Sequence, residues 1–146
     1  MDFGDQLRQF AEKTDGRTNL VVKKIVFDIG TALALKTPVG DPSYWQSPPP
    51  PGYVGGRARG NWQYGINQPN RFNESPIDKT GASVTTHIGA AIPDRATGLV
   101  HYITNSVPYI EPLENGHSWR QAPNGMVNLT ALEFDPIVRA AVAELS

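Results

Sequence analysis

Apolar residues recur at helical spacing from the start of the chain. Phe3, Leu7, Phe10 and Ala11 fall at i, i+4, i+7 and i+8, and Leu20, Val21, Val22, Ile25, Val26, Ile29 and Leu33 continue the pattern. The spacing predicts a helix over 2–36, with Asp15-Gly16 as a break and Thr18 as a cap for the second half. The stripe widens in that second half, which is expected to pack across a sheet and leave the first turns to a neighbour. Thr37-Pro38 ends the helix, because proline pushes the residue before it out of the α region. Trp62, Tyr64 and Ile66 alternate with polar positions over 61–68, the pattern of a half-buried strand. Val84, Ile88 and Ile92 predict a short helix over 81–91, with strand left open as the alternative by Thr85-Thr86. Leu99 to Thr104 reads as a second strand, 108–113 as one helical turn, and 114–125 as a loop around the turn signal Asn115-Gly116. Helical spacing resumes with Leu129 and Leu132, then Ile137, Val138, Ala141, Val142 and Leu145. Asp135 is placed to cap the last helix, with Pro136 at its first position.

This order predicts a single α+β domain over 1–146, with a long N-terminal helix and a C-terminal helix packed on a small antiparallel sheet. Trp62, Tyr64, Ile103 and Tyr109 are expected in its core. Residues 37–60 form the exception to the pattern, holding six of the thirteen prolines, including Pro48 to Pro51, together with five glycines. They predict a long Pro/Gly-rich loop insertion with a polyproline II element at its centre. Tyr44, Trp45 and Tyr53 sit on this loop, and large aromatics there need something to cover them. The loop therefore reads as an arm laid on a neighbouring subunit, the alternative being a passive surface insertion.

Thirteen basic and fourteen acidic residues leave a formal charge of −1, so no global field exists to hold nucleic acid or an anionic membrane. The absence of Cys excludes disulfides, thiol catalysis and Cys-based metal sites. The acidic start and the short apolar stretch Ile25 to Leu35, interrupted by Asp28, argue against a signal peptide or a membrane span. A soluble protein that is not secreted by the usual route is expected. The histidines, His87, His101 and His117, show no ligand spacing, and no metal or cofactor is expected. No nucleophile motif is present. Gly55 to Gly60 precedes a strand rather than a helix, so it does not read as a phosphate cradle. Glu111 and Glu114 share one helix face and read as solvated. Arg57, Arg59, Arg71 and Lys79 give 37–79 a small basic excess, suited to guiding a partner's acidic surface into place.

Two segments carry more than composition. The first is Thr37-Pro38-Val39, followed after an insertion by Gly56-Arg57-Ala58-Arg59-Gly60-Asn61-Trp62-Gln63. The second runs Tyr102 to Tyr109, then Leu113-Glu114-Asn115-Gly116-His117-Ser118, then Gln121 to Val127. Together they resemble the tail-completion family of long-tailed bacteriophages, the lambda-type minor tail protein Z and its relatives. The resemblance covers nearly the whole chain, and its second segment is the more specific. The chain differs from the family pattern by the insertion of Gly40 to Gly55 and by Trp119-Arg120 where relatives often carry one basic residue.

The resemblance implies a structural virion protein with no catalysis. It would cap the head-proximal end of the tail tube, in the phage neck, as a ring of copies of itself, expected to be a hexamer. Its other partners would be the major tail tube protein and the head-completion or stopper protein, with DNA only passing through the lumen. Tyr44, Trp45, Tyr53, Arg57, Arg59, Glu114, Trp119 and Arg120 are the expected contact residues, and the N-terminal helix and the 40–55 arm the expected patches. Two other classes remain. One is a small hydrolase or nuclease built around His101, His117, Glu111 and Glu114. The other is a peptide-binding adaptor that needs no ring.

Overall fold

Asp2 starts the first helix, its carboxylate accepting the Asp5 N–H at 2.8 Å. Helix α1 then runs without a break over Phe3–Lys36, about 50 Å at 1.5 Å per residue. Asp15-Gly16 does not interrupt it. One glycine costs a helix only about 1 kcal/mol, which the turns on either side offset. Thr37 is extended as Pro38 requires, with φ −77° and ψ 127°. The fold is that of a computed structural model, which describes residues 2–40, 48, 51, 55–115 and 125–145, and among residues 7–15, 112 and 113 the backbone alone.

The remaining elements are α2 (Arg57–Gly60), β1 (Trp62–Ile66), α3 (Ala82–Ala91), β2 (His101–Asn105), α4 (Ile110–Glu114), α5 (Val127–Leu132) and α6 (Phe134–Leu145). Strands β1 and β2 pair antiparallel, Trp62 opposite Asn105 and Ile66 opposite His101. The chain is thus a small α+β domain, several helices packed against a two-stranded antiparallel sheet. Val26, Leu33 and Ala34 of α1 meet Trp62 and Tyr64 of β1, Val84 and Ile88 of α3, and Ile92, Ala96 and Met126 in one buried cluster. Val84, Ile88 and Ile92 are buried at i, i+4 and i+8, so the helical reading of 81–91 holds over the strand alternative.

Strand β1 is covered on both faces, more than its alternating pattern predicts. Gln63 is only 2% exposed. The segment 68–75 lies over it: Gln63 Nε2 donates to Ser75 Oγ at 2.8 Å, and Thr104 Oγ1 to Asn70 O at 2.5 Å. Gly65 makes room for this, since a Cβ there would strike the Gln68 carbonyl.

Three expectations need correction, and the burial of α5 differs from its apolar stripe. Residues 57–60, assigned to the loop, form the helical turn α2, with Asn61 Nδ2 donating back to Arg57 O at 2.8 Å. Tyr109 is 40% exposed, and Val107, at 2%, takes the buried position after β2. The Asn105 carboxamide turns the chain there by accepting the Val107 N–H at 3.2 Å. Leu132 is 80% exposed while Thr130 is buried, because α5 is only six residues long and ends at Glu133. Helix α6 begins at Phe134, so Pro136 lies inside its first turn, where a missing N–H costs nothing.

Helix α6 lies antiparallel along the second half of α1. Two ion pairs fix the alignment, Lys36 to Glu133 at 2.8 Å and Lys24 to Glu144 at 3.3 Å. Ala141 of α6 is fully buried.

Candidate functional site

Several residues of the two segments singled out in the sequence are brought together in pairs. Thr37 is the centre of the first. Its hydroxyl donates to Leu33 O at 2.6 Å and accepts the Trp62 indole N–H at 2.7 Å, both fully buried. Arg59 crosses to the same place. Its Nε and Nη2 donate to Thr37 O at 3.0 and 2.8 Å, its Nη1 to Lys79 O at 2.6 Å, and its Nη2 also reaches Leu35 O at 3.3 Å. A guanidinium with a fork of donors suits the carbonyls left open at a helix C-terminus, and its charge favours that end of the dipole. Asn61 accepts the Ser75 N–H at 2.9 Å, and Asn105 Nδ2 donates to Ala58 O at 2.8 Å.

Glu114 does for the second segment what Thr37 does for the first. Its carboxylate accepts the N–H groups of Met126, Val127 and Asn128 at 2.9, 2.7 and 3.0 Å, capping α5 from twelve residues away. Gly125 holds φ +80°, and a Cβ there would meet the Glu114 carboxylate and carbonyl. Burial pushes the Glu114 carboxyl up, but the three N–H groups outweigh it and leave it below the ordinary 4.5. Asp78 acts likewise on α3. It accepts from Gly81 N and Val84 N, each at 2.9 Å, and from the Thr80 hydroxyl. Burial raises its carboxyl, and these donors with the Thr80 N–H bring it below the ordinary 3.8.

Of the expected contact residues, Arg57 is exposed, Arg59 is committed to backbone carbonyls, and Glu114 to the start of α5. Arg57 stands beside Tyr109, whose phenol burial pushes up while the Arg57 charge and the Ala58 N–H pull it down. Tyr44, Trp45, Tyr53, Trp119 and Arg120, and His117 with them, lie outside the described residues. Sequence reasoning missed Asp78, whose signal was an acid three residues before Gly81 and the helical stripe it precedes. For the bonding roles of Asn61 and Asn105, spacing gave no signal.

Of the residues of the alternative reading that are described, Glu111 and Glu114 line one groove and His101 stands at the other end of β2. His101 uses both ring nitrogens, Nδ1 on the Tyr64 hydroxyl at 2.6 Å and Nε2 on Ala96 O at 2.7 Å. The carbonyl needs a proton on Nε2, so in the neutral ring the Tyr64 hydroxyl donates to Nδ1. Glu111 lies at the other end of β2, on a groove of about 370 Å³ floored by Trp62, Ile103, Ile110 and Met126, with Arg71 on its rim. Among the described residues no three His, Asp or Glu converge on a point that could hold a metal, and no helix is long and apolar enough to cross a membrane. No family model, no curated protein and no solved structure matches the chain.

Proposed function

We propose that the chain is a structural subunit of a long-tailed phage neck. It completes the head-proximal end of the tail tube and joins it to the head-completion complex. It acts by assembling with copies of itself, by our reading as a hexameric ring around the DNA path, and carries out no catalysis. The observation that supports the reading is the pairing of the shared segments. Thr37, Arg59 and Trp62 of the first bond to one another, and Glu114 of the second bonds to Met126 and Val127 of the same segment. The residues quoted for the likeness to tail-completion proteins thus include several that depend on each other in this fold.

Two consequences follow for where contacts are made. Arg59 and Glu114 serve the frame, so the ring contacts belong to exposed residues, Arg57 and the first turns of α1 among them. The loop aromatics Tyr44, Trp45 and Tyr53, with Trp119 and Arg120, remain part of the proposal as contacts to the tube or to the next subunit. Gold-labelled antibody against the chain should mark one spot per particle, between head and tail, in micrographs of the virus that encodes it. Label along the tube, at the distal tip, or on no particle at all would remove the reading.

A further inference from the structure

The sheet has two strands, so each has one edge that the other does not pair. One bond tells which backbone groups of β2 face outward. Asn67 N–H donates to Val100 O at 2.8 Å, one step beyond the pair of Ile66 and His101. In an antiparallel pair, residues that exchange both bonds alternate with residues that exchange none. Tyr102 and Thr104 therefore turn their N–H and C=O groups to β1, while His101, Ile103 and Asn105 turn theirs away from it. Among the described residues nothing bonds to these outward groups, although all of β2 is half-buried. On β1, by contrast, Asn70 Nδ2 reaches the outward Tyr64 carbonyl at 3.4 Å. An open edge of this kind is a template for pairing.

The groove of about 370 Å³ runs along that edge, since Ile103, Thr104, Asn105 and Ser106 all line it. It has a wall on each side. The segment 68–75 lies over the face of Gln63 and Thr104 and brings Pro69 and Arg71 to the groove. On the other face Ile110 and Met126 pack with Trp62 and Ile103, and Glu111 stands beside them. A strand entering the groove sits about 4.8 Å from β2 and sends alternate side chains to the two walls. Arg71 and Glu111 are both exposed, and neither has an ion pair among the described residues. Arg71 draws a carboxylate to its wall, where a guanidinium can hold both oxygens. Glu111 keeps acids off the apolar wall. The two walls suit a single segment better than a second copy, whose own edge carries the same walls.

We propose that the outer edge of β2 takes a third strand from a partner protein, an extended segment with apolar side chains at alternate positions and an acidic one between them. Main-chain bonds to Ile103 and Asn105 hold the segment, and the two walls select it. The proposal goes beyond the neck reading and stands without it, because its test uses purified protein and no virus.

The probe is a short fluorescein-labelled peptide with valine at alternate positions and glutamate and threonine between them. It is added to the full chain and followed by anisotropy. Lysine in place of the glutamate should weaken binding at least about tenfold, and Arg71→Glu should reverse that preference. Arg71 is exposed, so the variant should keep the wild-type melting temperature. Alternate amides of a strand face opposite sides, so methylating one alternate set of peptide nitrogens should abolish binding and methylating the other should spare it. Hydrogen exchange read by NMR should show the Ile103 and Asn105 amides slowed at least about tenfold by the peptide, and those of Tyr102 and Thr104 slow with or without it. A peptide that does not bind would overturn the proposal, as would indifference to the charge or to the methylated set. Ile103 and Asn105 amides already slow in the free chain would overturn it too. Protection that rises with protein concentration would give the edge to a second copy, and protection that does not would give it to the chain itself.

Discussion

Two buried threonines in similar settings should respond oppositely to the same change. Thr37 Oγ1 holds the Trp62 indole N–H and the Leu33 carbonyl. Thr37→Val leaves that N–H buried and unpaired, which should cost about 1–3 kcal/mol. Thr130 is 5% exposed, and its hydroxyl finds no partner among the described residues. Thr130→Val should be neutral or stabilising by up to about 1 kcal/mol. Urea unfolding of the two variants checks the contrast, and equal losses would contradict it. Arg59 and Glu114 teach the same lesson about reading charge. Both look like surface groups in the sequence, because nothing local says that a guanidinium will reach the end of a helix more than twenty residues back. Their roles are set by tertiary neighbours, and single-residue chemistry could only mark them as charged.

At the scale of elements, the sequence carried most of the helices, because periodicity is a local property. The later part of the α1 stripe, at Val26 and Leu33, and the i, i+4, i+8 pattern of α3 reappear in what is buried, whereas β1 buries Trp62, Gln63 and Tyr64 in a row and exposes Ile66. What periodicity could not show is where a stripe has two faces. Tyr109 was expected inside and stands outside, since the turn after β2 directs burial to Val107, and Leu132, on the stripe of α5, is exposed while Thr130 is buried. Gly16 is the other local misreading, a break signal inside a continuous helix. It has open space around its Cβ position. Gly16→Ala should therefore stabilise α1 by about 0.5–1 kcal/mol and raise helicity in circular dichroism. A loss of stability would show that the helix bends there.

The whole molecule should weaken in acid through two carboxylates. Asp78 and Glu114 are both held below their ordinary values of 3.8 and 4.5 by backbone N–H groups at helix starts. A carboxyl that is lowered in the folded state contributes its full stability above the unfolded value, and loses it as pH falls through the folded one. Stability should be flat with respect to these groups above about pH 5 and fall progressively below about pH 4. In Glu114→Gln, which keeps one acceptor but no charge, the fall should be shallower and the melting temperature at neutral pH lower. An identical pH profile in the variant would show that Glu114 is not a source of the acid sensitivity. The same frame explains why function was harder to read than fold. Thr37, Arg59, Trp62 and Glu114 are taken up in holding the domain together, so they bear on how it is built, while exposed surfaces follow no motif.

The central claim is that this domain joins tails to heads, and deleting its gene from the phage or prophage that encodes it tests that most directly. Negative-stain images of the induced lysate should show filled heads lying apart from tails, or tails of abnormal length, with joining restored by the wild-type chain supplied in trans. Normal joined particles in the deletion would contradict the account.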